Sequence, residues 1–292
     1  MKKFSSFFVV AMIITTFFTS CESEESEVDP DREAYDKAEI SEGGIMYDKF
    51  WSKESGYDQT DPNIATLNEY KDFFRCKQCH GWDGLGSEGA YINRSPKTTR
   101  PNVHSLNLYE LAQTKTSKEL FDAMKATNGR RDIDTDLSTY DPANPATRGE
   151  GDKMPNYSEL LTDAQIWNIV KFMKEGMFDV TELYDADYTG AYPNGSFDFS
   201  NIGTNGDEAN GNKLYTDRNC ALCHGADGSA IIMDGKTVGE FTRSKAYEVQ
   251  HKVKYGQLGS SMGGEFDMTS SEMKDLYKAL ANETNFPDNS NF

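Results

Sequence analysis

The sequence is poor in the residues that bind metals through nitrogen or sulfur, and it is poor in positive charge. Its 292 residues include 5 cysteines and 4 histidines, so these residues carry information only if they cluster. The 30 lysines and arginines stand against 48 aspartates and glutamates, which gives a net charge of −18. A surface this acidic repels phosphate groups, and this argues against nucleic acid as a partner.

Apolar material, by contrast, is sufficient for folding. Hydrophobic residues make up 37% of the chain and aromatic residues 12%, enough to build packed cores and to exclude disorder over the whole length. A chain of 292 residues corresponds to about two ordinary domains. Strand-like alternation of polar and apolar residues is scarce, so we predict an all-α fold.

The first twenty residues are typical of an export signal. Lys2 and Lys3 precede an apolar run that starts at Phe7, and small residues lead up to Cys21. Because polar residues interrupt the run, a retained transmembrane helix is the less favoured alternative. The Thr-Ser-Cys sequence ending at Cys21 resembles the lipobox of bacterial lipoproteins. The resemblance implies a signal peptide over 1–20, an acylated Cys21, and an exported protein anchored to a membrane by lipid, facing the periplasm or lying on the outer-membrane surface.

An acidic segment follows the predicted lipidation site. Glutamates and aspartates dominate residues 22–40, with few apolar neighbours. Such a composition buries too little apolar surface to offset the entropy lost on ordering. We therefore expect a solvated acidic tether over 21–58.

The four remaining cysteines form two identical patterns. They read Cys76-Lys77-Gln78-Cys79-His80 and Cys220-Ala221-Leu222-Cys223-His224. On a helical turn, positions i, i+3 and i+4 lie on one face, so two thiols can bond a porphyrin while the imidazole lies under its iron. A redox dithiol, a zinc site or a disulfide are alternatives for a bare Cys-x-x-Cys. The histidine after both pairs favours attachment of two haem c groups, with iron as the metal.

The flanks of both patterns are similar to class I cytochrome c domains. Each pattern follows a short helical segment with aromatics, placed at Leu67 to Phe74 in the first copy. In the second copy this segment is Gly211 to Tyr215, which resembles the N-terminal helix of that family. Each copy later has a capping-box sequence before a closing helix, at Thr162 and Thr269. Gly176 and Asn282 are predicted to end these two helices.

The resemblance implies two tandem cytochrome c-like domains, each made of short helices wrapped around a covalent haem. The predicted boundaries are a first domain over 59–178, a linker over 179–208, a second domain over 209–284 and a tail over 285–292. In the first domain, residues 130–153 form a long polar insertion.

The resemblance also implies a second axial ligand for each iron. Met154, in a Met-Pro sequence between the third and last helices of the first domain, resembles the ligand loop of the family. Met262 lies in the equivalent loop of the second domain, with Met268 in reserve. His104 and His251 are the competing ligands, although the helical pattern around His251 predicts that it faces solvent.

Coordination by histidine and methionine implies one-electron transfer between redox proteins, with no catalytic residues in the chain. At this net charge, partners should present basic docking surfaces, and the only membrane contact should be through the lipid. An electron-accepting subunit docked to a dehydrogenase involves the same chemistry. The enzymatic alternatives are a dihaem peroxidase and a thiosulfate-dehydrogenase-like oxidase.

Overall fold

A computed structural model describes residues 29–291 of the protein, and this part is mostly helical. The predicted signal peptide over 1–20 and the predicted lipidation site Cys21 lie outside the described residues. One short antiparallel hairpin is added to the helices, so the expectation of a helical fold is confirmed in its main feature.

The helices before the hairpin are α1 Pro30–Lys37, α2 Ile40–Lys49, α3 Ile64–Glu69, α4 Cys76–His80, α5 Leu108–Thr114, α6 Ser117–Lys125, α7 Pro145–Gly151, α8 Tyr157–Leu160 and α9 Asp163–Lys171, which continues as a π-helical turn, Phe172–Gly176. The hairpin consists of β1 Asp185–Thr189 and β2 Ser196–Ser200. The helices after it are α10 Glu208–Asp217, α11 Cys220–His224, α12 Val238–Ser244, α13 Ala246–Tyr255 and α14 Ser270–Leu280.

Helix α2 shows that the prediction of an acidic tether over 21–58 is wrong for its described part. Tyr47, Phe50 and Trp51 lie in or just after this helix and are almost completely buried. Helix α2 crosses α9 so closely that a Cβ on Gly43 would lie 2.0 Å from the carbonyl oxygen of Asn168. The acidic residues before residue 40 made the composition of the whole segment look solvated. The residues of α2 and just after it are nevertheless apolar enough to pack in the core.

Helix α10 is the counterpart of α2 in the second half. It crosses α14, and a Cβ on Gly211 would lie 2.0 Å from the carbonyl oxygen of Asp275. Both helices carry a tyrosine four residues after the crossing glycine. Tyr47 donates a hydrogen bond to the carbonyl of Gly81 at 2.6 Å, and Tyr215 donates one to the carbonyl of Gly225 at 2.8 Å. The two halves therefore repeat a detailed structural contact.

The segment predicted to be helical before the first pattern, Leu67 to Phe74, is not the counterpart of α10. That segment contains α3 and a 3₁₀ turn, whereas α2 makes the helix crossing. An insertion separates Tyr47 from Cys76, while Tyr215 lies close to Cys220.

The two closing helices begin as predicted. Thr162 and Gln165 form a complete capping box at α9, and Thr269 and Glu272 form one at α14. In each, the threonine hydroxyl accepts from a backbone N–H and the longer side chain accepts from the threonine backbone, so two helix-end donors are satisfied. The first closing helix reaches Gly176 through its π-helical turn, and the second ends at Leu280, two residues before Asn282.

The segment over 179–208 is folded, which corrects the prediction of a simple linker. Its residues Val180, Leu183 and Tyr184 are buried in the hydrophobic core of the second half, and β1 and β2 pair along five residues each. The predicted tail is also part of this core, since Phe286 is only 2% exposed. Polar and aromatic residues do alternate at Ser196–Ser200, but the alternation covers only five residues and was outweighed by the polar, glycine-containing composition of the segment.

Helix α13 joins the two halves of the molecule. Gln250 donates a hydrogen bond from its side-chain amide to the backbone carbonyl of Trp82 at 2.8 Å. Tyr255 donates one to the carbonyl of Gly176 at 2.7 Å. His251 lies between them, 2% exposed, so the prediction that it faces solvent is wrong. The spacing of apolar residues along α13 indicated only the face that packs within the second half. The opposite face, which carries His251, is covered by the first half.

We expect His251 to make the free energy of unfolding depend on pH. Burial lowers the pKa of His251 to about 4 from its ordinary 6.5; the charge of Asp48 opposes this shift, and that of Lys77 adds to it. Because the unfolded state then binds the proton more tightly, stability is lost as pH falls from 6.5 towards 4. Between pH 7 and pH 5 this residue should account for about 2 kcal/mol.

Chemical denaturation of the wild type and of His251→Gln at pH 7 and pH 5 tests this expectation. The variant should be less stable at pH 7, because it loses the ring contacts of His251 with Trp82 and Tyr255. It should, however, lose less stability than the wild type between the two pH values. An equal loss in both proteins would contradict the assignment.

Candidate haem-binding sites

The first site is built on α4. This five-residue helix places Cys76, Cys79 and His80 on one turn, and Gly81 ends it with φ of +79°, a left-handed conformation that favours glycine. Burial raises the pKa of the Cys76 thiol to about 11 and that of the Cys79 thiol to about 12. Both sulfurs are therefore neutral at pH 7 and lie in an apolar environment.

A cavity of about 510 Å³ adjoins α4. Cys76, Cys79 and His80 border it on one side, and Met154 borders it from the loop after α7. The structure thus brings together all four residues predicted for the first site. Most of the remaining wall is apolar and comes from Leu108, Leu111, Leu120, Met124, Ile169 and Met173.

The environment of His80 fits a metal ligand. Burial lowers the pKa of His80 to about 4, so its imidazole is neutral at pH 7 and keeps a lone pair for a metal ion. Its Nδ1 is buried, and no residue within 29–291 makes a hydrogen bond to it. A buried ring nitrogen without a partner is costly, so this ring is expected to have a specific role, such as binding a metal. The apolar cavity, the two thiols and this histidine therefore fit a covalently bound haem.

His104 also borders the first cavity, but its ring is engaged differently. Its backbone N–H donates to the carbonyl of Cys79 at 2.8 Å, and its Nδ1 accepts from the backbone N–H of Leu106 at 3.1 Å. The side chain is exposed. The other competing ligand, His251, is buried against Trp82 and Tyr255 and borders neither cavity.

The second site is built on α11 and is more open. A small cavity of about 60 Å³ is bordered by Cys220, His224 and Met262. Cys223 lies on the exposed side of the same helix, next to Leu222, which is 82% exposed. Burial lowers the pKa of His224, and its Nδ1 is buried without a hydrogen-bond partner in the described part of the chain. This second imidazole therefore resembles His80 in its surroundings.

Two other methionines are relevant to the second cavity. Met268, the predicted reserve ligand, is 1% exposed within the core and does not border the cavity. Met233 does border it, from a turn before α12, and is not among the ligands predicted from the sequence. Its only signal was a methionine at the end of a short apolar run, Ala230 to Met233, before a glycine-containing turn, and this is too weak to separate a ligand from a packing residue.

The turns after the two histidines repeat as well. Asp83 accepts a hydrogen bond from the backbone N–H of Leu85, and Asp227 accepts one from the backbone N–H of Ser229, each at 3.1 Å. Their surroundings differ, because burial raises the pKa of Asp83 to about 6 while hydrogen bonds from Ser229 lower the pKa of Asp227. The same aspartate turn is thus buried in the first half and partly exposed to solvent in the second.

A helical unit that presents Cys-x-x-Cys-His to an apolar cavity, with a methionine on the cavity wall, has the features of a covalent haem protein. Comparison with known families agrees, because residues 70–176 match the family model for cytochrome c. This segment is a cytochrome c domain, so the protein is a c-type cytochrome, and the domain implies a covalently bound haem c. The match supports haem-based electron transfer.

Searches of curated proteins and of solved structures found no significant match. Within the described residues, none of the helices is both long and apolar enough to span a membrane.

Proposed function

We propose that the protein carries two haem c groups and relays single electrons between redox partners. Cys76 and Cys79 would hold the first haem, and Cys220 and Cys223 the second. The observation that supports the second haem is the repeat of the first site: a glycine helix crossing, a tyrosine hydrogen bond to the residue after Cys-x-x-Cys-His, and a histidine facing an apolar cavity. The two tandem cytochrome c-like domains follow from the same repeat.

In the first site, the chain would supply both axial ligands and an apolar wall. His80 would be the proximal ligand, and Met154 borders the same cavity and would be the second. When bound, haem supplies reversible one-electron chemistry at its iron. The thioether of methionine favours ferrous iron and the apolar wall disfavours the extra ferric charge, so both raise the reduction potential.

In the second site, His224 and Met262 would be the axial ligands. Its openness supports a role in contact with partners. Leu222, Ile231 and Ile232 are exposed apolar residues in the segment that begins with α11 and ends before α12. The net charge of −18 favours partners whose docking surfaces are basic, and screening by salt should weaken their association.

We also propose that the protein is an exported lipoprotein. Residues 1–20 would be removed as a signal peptide, and acylated Cys21 would anchor the protein to a membrane. The order of Lys2, Lys3, an apolar run and small residues before Cys21 supports this proposal. Mass spectrometry of the mature N-terminus tests it, and an unmodified Cys21 would contradict it.

A redox titration of the purified holoprotein tests the proposed relay. We expect two one-electron transitions, a c-type spectrum in the reduced protein, and in the oxidised protein a weak band at the red edge of the visible range from sulfur-to-iron charge transfer. We expect no turnover of peroxide or thiosulfate, because both irons would hold six ligands. A high-spin signal from either haem together with peroxide turnover would instead indicate a peroxidase.

A further inference from the structure

Arg131 has unusual surroundings for an arginine. It is 1% exposed, and its guanidinium group donates to three backbone carbonyls. Nη1 donates to the carbonyls of Gly151 at 2.5 Å and Lys153 at 3.0 Å, and Nη2 donates to the carbonyl of Phe73 at 2.6 Å. A buried charge is costly unless it is well hydrogen-bonded, so this arrangement is expected to have a specific role.

The carbonyl groups that accept from Arg131 belong to two separate parts of the first site. Phe73 lies just before Cys76, the start of the haem-attachment helix. Gly151 and Lys153 lie just before Met154. The guanidinium group therefore links the segment that would bond the haem to the loop that would supply the second axial ligand.

The backbone of Arg131 contacts the same loop. Its N–H donates to the carbonyl of Met154 at 3.0 Å, and its carbonyl accepts from the N–H of Asn156 at 2.8 Å. Arg131 therefore holds the residues on both sides of Met154. The planar group also lies over two aromatic rings, with Cζ 5.6 Å from the ring centre of Phe73 and 5.1 Å from that of Phe74.

Other residues of the insertion over 130–153 support this arrangement. Tyr140 packs edge-on against Phe73, with ring centres 4.9 Å apart, and its hydroxyl donates to Asp152 at 2.9 Å. Asp152 also accepts from the backbone and side-chain nitrogens of Asn102, at 2.9 and 2.6 Å. The insertion is thus tied to the Met154 loop at several points and is more than a spacer.

We propose that Arg131 is the positioning residue that keeps Met154 at the iron, and that this is the role of the insertion. The inference rests on the proposed function, in which Met154 is the axial ligand. Without the guanidinium links, the loop can move away from α4 while the haem stays bonded to Cys76 and Cys79. Added ligands could then compete with the methionine for the iron.

Three holoprotein variants test this role. Arg131→Lys keeps the charge but loses the planar fork, and Arg131→Gln also removes the buried charge. Arg148→Lys is the matched control, since Arg148 is an exposed residue of the same insertion whose ion-pair partner is Asp152, at 3.9 Å. Each variant is compared with the wild type by circular dichroism, haem stoichiometry, the charge-transfer band, the two potentials and imidazole binding to the oxidised protein.

Both Arg131 variants should keep two haems and the helical signal. The charge-transfer band should weaken, one potential should fall, and imidazole should bind one haem at least about tenfold more tightly, because a weakened native ligand competes less well. Arg148→Lys should match the wild type. Full retention of the band, potentials and imidazole affinity in both Arg131 variants would overturn the inference.

Two further outcomes would separate this inference from the proposal on which it rests. If neither Arg131 variant keeps the helical signal, the role of Arg131 is structural and the inference is overturned. If the wild type itself lacks the band, or if Met154→Ala leaves it unchanged, then Met154 is not the ligand. In that case the proposed coordination fails and the inference fails with it.

Discussion

Replacing Cys76 and Cys79 together by serine is expected to remove one haem and to unfold the first half of the protein. The cavity beside α4 is about 510 Å³ and mainly apolar. Without haem, the apolar side chains of this wall would be exposed to water, and the first half would lose the burial that stabilises it. The measurements are the mass of the denatured protein, haem staining on a gel, and circular dichroism.

The matched control is the double replacement of Cys220 and Cys223 by serine. It should also remove one haem, but it should remove less of the helical signal, because the second cavity is only about 60 Å³ and α11 is exposed. If the wild type carries one haem and this second variant leaves the mass of that haem in place, the proposal of a second haem is wrong.

Replacing Met154 by alanine is expected to lower one reduction potential and to leave the other unchanged. If Met154 is the proposed ligand, loss of its thioether would remove a group that favours ferrous iron and would open a coordination position. The fall should be on the order of 0.1 V or more, because axial ligands set haem potentials over a range of about 0.8 V. Redox titration gives the potentials, and the charge-transfer band should lose the contribution of one haem.

The second site needs two variants, because two methionines border its cavity. Met262→Ala should lower the other potential, whereas Met233→Ala should change it little if Met262 is the ligand. The opposite result would assign Met233 as the ligand. If Met154→Ala and Met262→Ala both leave the two potentials unchanged, the proposed coordination by methionine is wrong at both irons.

Features that depend on residues close together in the chain could be predicted. The capping boxes at Thr162 and Thr269 formed as expected, since each needs only four consecutive residues. The role of Met154 as the ligand paired with His80 came from a resemblance to a family and not from local spacing; both residues border one cavity, and the ligation stays a prediction. The equivalent prediction for Met262 was less complete, because Met233 also reaches that cavity.

Features that depend on contacts between distant residues could not be predicted. Helix α2 is defined by its crossing with α9, more than a hundred residues later in the chain, and the composition of the segment before it indicated a solvated tether. His251 was expected in solvent because the period of α13 cannot show that the first half covers its second face. The role proposed for Arg131 depends on the meeting of Phe73 and Gly151, far apart in the chain, at one guanidinium group.

The amino-acid sequence by itself determined the local spacing of the groups for attachment: thiols and an imidazole at i, i+3 and i+4 lie within about one turn of any helix. Tertiary structure alone decided how enclosed each site is, which methionines reach it, and how α13 joins the two halves. The physical reason is that helical spacing is a local property of the backbone. Burial depends on which surfaces meet, and that is set by packing between segments far apart in the chain.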